Sequence, residues 1–184
     1  MILDAPFPID PRVSNEASAL ISAGHDIYLF CLSYSKKFIE KEVIDSINIR
    51  RYYCSSLTYK FSALAYTVPF YKIVMSRKIN NFLNTNNIDK IHIHDIQIAS
   101  SVFKANSKSL PTTLDLHENR PEIMKFYKHV NSFLGKLLIS PKKWKIAEEK
   151  FSKAANKIVV VTSAAKNELS KRIGLNSFCF IFLF

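Results

Sequence analysis

KIVVVT, residues 157–162, sets Ile158, Val159, Val160 and Val161 in an unbroken apolar run. A strand with one wet face alternates, whereas an unbroken β-branched run suits a central strand of a parallel sheet covered on both sides. Working outward, the spacing predicts a basic amphipathic helix over 141–155, holding the single tryptophan Trp144. After the strand it predicts a helix capped by Ser163, running to about Arg172 and closed by Gly174. The same alternation recurs upstream. KIHIH (90–94) reads as a strand followed by a helix over 96–105, and PTTLDLH (111–117) as another strand, with 118–140 irregular or loosely helical. Nearer the start lie a short stub at Met1 to Leu3, a turn-rich loop over 4–10 and a helix opened by Pro11, with Asp10 as its cap and Gly24 at its end. Strands follow at DIYLFCL (26–32) and at 47–53, then a helical stretch over 61–84 interrupted near Pro69. Strands alternating with helices imply an α/β fold, a Rossmann-like three-layer domain with a mostly parallel sheet.

Bulk composition narrows the function classes. The chain has 184 residues, 48% hydrophobic and 22% charged, enough for one core, and no run nears the roughly 20 apolar residues of a membrane span. Met1-Ile2-Leu3 is followed at once by Asp4 and by Pro6, Pro8 and Pro11, which is not a secretory leader, so a cytoplasmic location is expected. Cys31, Cys54 and Cys179 are widely spaced and form no C-x-x-C, so they read as idle thiols rather than a disulfide framework or zinc site. Gly24, Gly135 and Gly174 are the only glycines, and they build neither G-x-G-x-x-G nor a Walker loop. A self-contained dinucleotide site or NTPase is thereby excluded, and the absence of G-x-S-x-G excludes an esterase elbow.

In an open parallel sheet, ligands gather beyond the C-terminal strand ends. That rule selects the loop Pro6 to Arg12, His94 and Asp95 after KIHIH, His117 and Glu118 after the next strand, and Thr162-Ser163. Each alone has an ordinary explanation: Asp10 and Ser163 are common helix caps, and a strand-end histidine is often a satisfied core residue. Their shared edge is what raises them to site candidates. His92 and His94 are read as pointing to opposite strand faces, which removes them as a chelating pair. Asp95, His117 and Glu118 could chelate a metal, but their spacing does not demand one, so no metal is expected.

The run DAPFPIDPRVSNEASALISAGHDIYLFC (4–31), then IHIHD (91–95), LDLHENRPE (114–122), Trp144-x-x-x-Glu148 and the A-x-K-I-V-V-V-T of 155–162 together resemble family 4 glycosyltransferases. The likeness spans most of residues 4–174 and implies the acceptor-side, N-terminal half of a GT-B fold. It further implies a retaining, metal-independent transferase whose second domain binds a nucleotide sugar, which acts as co-substrate with no other cofactor. Carried over by motif, His117 would hydrogen-bond the transferred sugar as an oxocarbenium-like transition state develops. His94, Asp95 and Glu118 would bind the acceptor, and Arg12, near a helix N-terminus, would hold phosphate. Glu118 has an equal alternative role, fixing a neighbouring backbone or arginine. The sequence holds no counterpart of the family's donor-binding domain, so the 184 residues alone are expected to be inactive.

The formal charge of +11 is uneven. Residues 1–70 carry seven basic and seven acidic side chains, whereas Arg120 to Arg172 carries 13 basic and four acidic. Such a segment suits an anionic membrane surface, placing the protein peripherally on the inner face of the cell membrane, or is simply a solvated helix face. The intact enzyme is expected to join a nucleotide-sugar donor to a glycan or lipid-linked acceptor in cell-surface polysaccharide or glycolipid synthesis. The alternative is a non-catalytic Rossmann-like module binding anionic membrane through its basic C-terminal half. Lys125, Phe126, Tyr127 and Lys128 mix basic and aromatic residues, but no recognised motif accompanies them and nucleic acid is not expected. The domain is drawn at 1–174, with 175–184 as an apolar tail. SFCFIFLF (177–184) has seven apolar residues of eight and reads as a truncated or frame-disrupted end. The short stub before the first loop similarly reads as missing several upstream residues.

Overall fold

A computed structural model describes residues 1–126, 130, 139–174 and 180–182. Tyr127, Lys128, Gly135 and Cys179, singled out above, lie outside the described residues, as do 127–129 and 131–138 of the 118–140 stretch and 175–179 and 183–184 of the tail. The described strands are β1 (Ile2–Leu3), β2 (Ile27–Ser33), β3 (Lys41–Ile44), β4 (Ile47–Tyr53), β5 (Ile91–His94), β6 (Thr112–Leu116), β7 (Lys157–Val160) and β8 (Phe180–Phe182). The described helices are α1 (Pro11–Ser22), α2 (Ser56–Lys60), α3 (Phe70–Thr85), α4 (Ile96–Ala105), α5 (Arg120–Ile123), α6 (Pro141–Ala154) and α7 (Ser163–Ile173).

The strands form one sheet in the order β3-β4-β2-β1-β5-β6-β7-β8. Only the β3–β4 pair is antiparallel. The chain winds outward from β1 through β2, then crosses back to β5 on the other side of β1. That reversal opens a crevice at the C-terminal ends of β1 and β5, where open α/β sheets bind ligands. β3 lies where no strand was expected. Its hairpin turn is Asp45-Ser46, both residues at positive φ (48° and 64°), the backbone of a type I′ turn without its usual glycine.

The two sheet faces differ chemically. Ile2, Phe30, Leu32, Ile91, Ile93, Leu114, Leu116, Ile158 and Val160 belong to the larger core, which takes in α3, α4 and α6. Leu3, Leu29, Cys31, Ile47 and Ile49 form the smaller core under Val13 and Ala17 of α1. Because successive strand residues alternate in direction, His92, His94 and Asp115 share the α1 face of the sheet.

Helix ends follow the local chemistry, with one correction. Asp10 caps α1 by accepting the Arg12 N–H at 3.0 Å, and Gly174 closes α7 at φ 68°. The α7 cap, however, is Thr162 rather than Ser163: its Oγ1 accepts the Ala165 N–H at 3.1 Å, and Ser163 is the first helical residue. Pro69 does interrupt the 61–84 stretch, with a 3-10 turn at Phe61–Leu64 and α3 starting at Phe70. KIVVVT is an interior strand, flanked by β6 and β8.

Candidate functional site

Asp4 leaves β1 directly into the crevice. Its buried carboxylate accepts hydrogen bonds from Tyr71 Oη (2.9 Å) and Gln97 Nε2 (2.8 Å), which project from α3 and α4. Burial, aided by the negative charge of Asp95, pushes its pKa up to about 7 against those two donors. Asp4 falls in the turn-rich loop expected over 4–10 but outside the candidate site segment Pro6 to Arg12, although an acid placed immediately after the first strand is a readable signal.

Asp95 leaves β5 at φ 78° and ψ 148°, a backbone conformation that residues other than glycine rarely adopt. Such a residue costs about 1–3 kcal/mol unless neighbours hold it, and strain of this kind gathers at functional sites. Here the Asp95 N–H donates to the Asp115 carbonyl at 3.1 Å, and the Asp95 carboxylate is ion-paired to Arg120 at the start of α5. Arg120 was not among the residues expected at the site.

His117 and Glu118 follow β6. The His117 side chain is 22% exposed, with Nδ1 3.9 Å from Asp115 Oδ2. Glu118 is more open, and its Oε2 lies 3.7 Å from Arg120 Nη1, so the alternative role of steadying an arginine is the contact observed. The donor atoms of Asp95, His117 and Glu118 all lie within 4.8 Å of one another. Beside them an open depression runs between the ends of β6 and β7 and α7, lined by His117, Glu118, Val160, Ala165 and Leu169 among others.

Three expectations are revised by position. Arg12 was expected to hold phosphate; its guanidinium instead pairs with Asp10 at 3.1 Å and with the fully buried Asp115, balancing two carboxylates. His94 was expected to touch acceptor, but it has no accessible surface, its Nδ1 lying 3.5 Å from Asp115 Oδ2. His92 and His94 were expected to diverge. Residues two apart on a strand share a face, and their rings stack at 4.6 Å with an interplanar angle of 19°. Burial drives both imidazoles toward the neutral form, with the His92 pKa brought down to about 3.

Elsewhere, Trp144 packs edge-on against Tyr66 (4.9 Å, 89°). Glu148, four residues on, pairs with Arg172, which also reaches Glu149 (3.1 Å) and Glu168 (3.0 Å) and so ties α6 to α7. The W-x-x-x-E pattern therefore serves packing. Cys31 and Cys54 are free, and burial pushes their thiols up to about 12 and about 11. No helix among the described residues is long and apolar enough to cross a membrane.

The fold is shared with known structures. Os79 from O. sativa in complex with UDP superposes with a TM-score of 0.63 at 11% identity, covering 100% of this chain and 52% of that one. The E. coli protein described as trehalose-6-phosphate, bound with UDP-2-fluoro glucose, superposes with a TM-score of 0.52 at 13% identity, covering 91% and 40%. The chain thus spans about half the length of the first of these and less of the second. No curated protein matches it in sequence. The family description Glycosyltransferase Family 4 matches residues 12–178, nearly the whole length. With its doubly wound sheet and its polar C-terminal edge, the chain belongs to glycosyltransferase family 4, as an N-terminal domain of GT-B type.

Proposed function

We propose that this domain forms the acceptor-side wall of a retaining, nucleotide-sugar-dependent glycosyltransferase acting in cell-surface polysaccharide or glycolipid synthesis. The observation that carries the reading is the gathering of Asp95, His117, Glu118 and Arg120 around a strained strand end at the sheet's switch point. His117 hydrogen-bonds the transferred sugar as positive charge develops on its ring, which is positioning and electrostatic stabilisation rather than nucleophilic attack. Asp95, held by Arg120, and Glu118 orient the acceptor hydroxyl. No cofactor beyond the nucleotide sugar is assigned, and the groups that grip it belong to sequence outside these 184 residues.

The 184-residue polypeptide is therefore expected to transfer no sugar by itself, while retaining weak acceptor binding. Incubation with nucleotide sugars and candidate acceptors, read by mass spectrometry, is expected to give no glycosylated product. Chemical-shift changes on titration with acceptor are expected at Asp95 and Glu118, whereas UDP alone leaves them and His117 unmoved. Turnover by the chain alone, or UDP binding at His117 without any acceptor effect, would overturn the reading.

A second reading is favoured by one surface. Lys142, Lys143, Ile146, Lys150 and Lys153 are exposed and fall within about a third of the circumference of α6, with Ile146 56% exposed. A basic stripe with an apolar centre suits peripheral contact with anionic lipid on the cytoplasmic side of the membrane. Sedimentation with vesicles containing anionic lipid, lost at high salt and with zwitterionic vesicles, is the expected result; indifference to lipid charge removes it.

A further inference from the structure

Beneath the site edge, between α1 and the sheet, lies a second polar cluster that the transfer chemistry does not use. Glu16 projects from α1, His92 and His94 from β5, and Asp115 from β6. Six of their side-chain atoms are buried without a hydrogen-bond partner: both oxygens of Glu16, His92 Nε2, both nitrogens of His94, and Asp115 Oδ1. His94 and Asp115 have no exposed side-chain surface at all, and Glu16 has 8%. Buried polar groups are nearly always satisfied, so a concentration of unpartnered polar atoms in one small volume, with at least one lone-pair donor from each of the four residues, indicates a bound group that accepts those lone pairs.

We propose that Glu16, His92, His94 and Asp115 bind a divalent zinc-type ion that fastens α1 to β5 and β6. The four residues offer donor atoms that all lie within 4.8 Å of one another. Tetrahedral zinc, with bonds of roughly 2.0–2.2 Å, sets its ligand atoms roughly 3.3–3.6 Å apart. The separations found are 3.2 Å from His92 Nε2 to Glu16 Oε2, 3.9 Å from His94 Nδ1 to the same oxygen, and 3.5 Å from His94 Nδ1 to Asp115 Oδ2. Small side-chain adjustments close that range.

The donor set also selects the ion. Two imidazoles with two carboxylates suit zinc, whereas magnesium and calcium require six or more oxygens and retain water, for which this packed interior offers no room. Two carboxylates balance the ion's charge. Both imidazoles are already held neutral by burial, the form that binds metal. Arg12 donates to Asp115 Oδ2, which keeps a second lone pair for the ion, and Oδ1 has no partner; the arginine orients the ligating carboxylate as outer hydrogen-bond donors do. The partly exposed edge of His92, 18% accessible, gives the ion its route in. With four protein ligands and no open position, the ion is structural, so the proposal stands or falls apart from the transferase reading.

The test uses the full chain, stripped with chelator and then dialysed against zinc chloride alone. About one zinc per chain and a raised Tm are expected, with magnesium giving neither. Cobalt substitution is expected to give the intense visible bands of a tetrahedral ion. Glu16→Gln and His92→Gln are each expected to weaken zinc by more than about tenfold, while His25→Gln, exposed beyond the end of α1, leaves binding intact. Zinc far below one per chain, weak octahedral cobalt bands, or unchanged affinity in both ligand variants would overturn the proposal. The stoichiometry and the cobalt spectrum of the unaltered chain decide it even if a variant fails to fold.

Discussion

Two polar clusters grow from the same strands, one sealed and one open, and a single step along the chain separates them. His94 and Asp115 lie inside β5 and β6 with no exposed side-chain surface; Asp95, one residue on, keeps 9% of its side chain exposed at the inner edge of the rim, and His117, two residues on, keeps 22%. Residues inside a ladder are fixed in direction by the pleat and roofed by α1, whereas the first residues beyond it turn toward the crevice. The sealed cluster can only exchange protons or hold something as small as an ion. The rim cluster can meet a sugar. The difference teaches that polar residues at a strand end are not one class: their distance from the last ladder hydrogen bond decides between scaffold and recognition.

The comparison is broken most directly at Arg12, the cation of the sealed cluster. Arg12→Met leaves Asp115 buried without its partner, and removing one member of a buried pair costs about 3–5 kcal/mol. Urea unfolding at neutral pH is expected to show a loss of that order. A loss below about 1 kcal/mol would mean that Asp115 is solvated and the cluster is not sealed.

Asp4 sharpens the comparison, because it stands at the rim yet is buried. Its pKa rises from 3.8 to about 7 on folding, so the folded state binds the proton more tightly than the unfolded chain does. That stabilisation is complete below about pH 4 and is lost as pH rises through about 7. Asp4→Asn keeps an oxygen to accept from Tyr71 and Gln97 but cannot ionise. Between pH 4 and 7 the variant is expected to gain about 4 kcal/mol relative to the native chain, at roughly 1.4 kcal/mol for each pH unit crossed, and no more above that. Asp95 and Arg120 also face this carboxylate and partly offset each other. Parallel pH profiles for the two proteins would show that Asp4 is already ionised in the folded state.

Much of this fold was legible because its signals are local and periodic. The unbroken run at 158–161, the Asp10-Pro11 helix opening and the Gly174 stop each act within a few residues, and each element appears in place. What escaped reading depends on geometry that sequence does not print. The β3–β4 hairpin turns on Asp45-Ser46, where tertiary pairing imposes positive φ on residues that do not advertise it. The rim residues His117, Asp95 and Glu118 followed from the rule about strand ends, but their partners did not: Arg120 meets Asp95 across 25 positions and Asp115 meets Arg12 across 103. The misreading of His92 and His94 had a simpler cause, since period two already places such residues on one face.

The smallest expected effect lies at the outermost residue, and it tests the open side of the comparison. Glu118 is 39% exposed, its nearest cation is Arg120 at 3.7 Å, and Arg120 keeps its pairing with Asp95 when Glu118 is neutralised. An exposed ion pair contributes about 0–1 kcal/mol, so Glu118→Gln is expected to change unfolding free energy by less than about 0.5 kcal/mol, with the midpoint in urea nearly unmoved. Its acceptor titration should still weaken, because the residue's contribution is to the ligand and not to the fold. A stability loss above about 1 kcal/mol would place Glu118 in the scaffold with Asp115, and the division between a sealed and an open cluster would then have to be drawn further out along the chain.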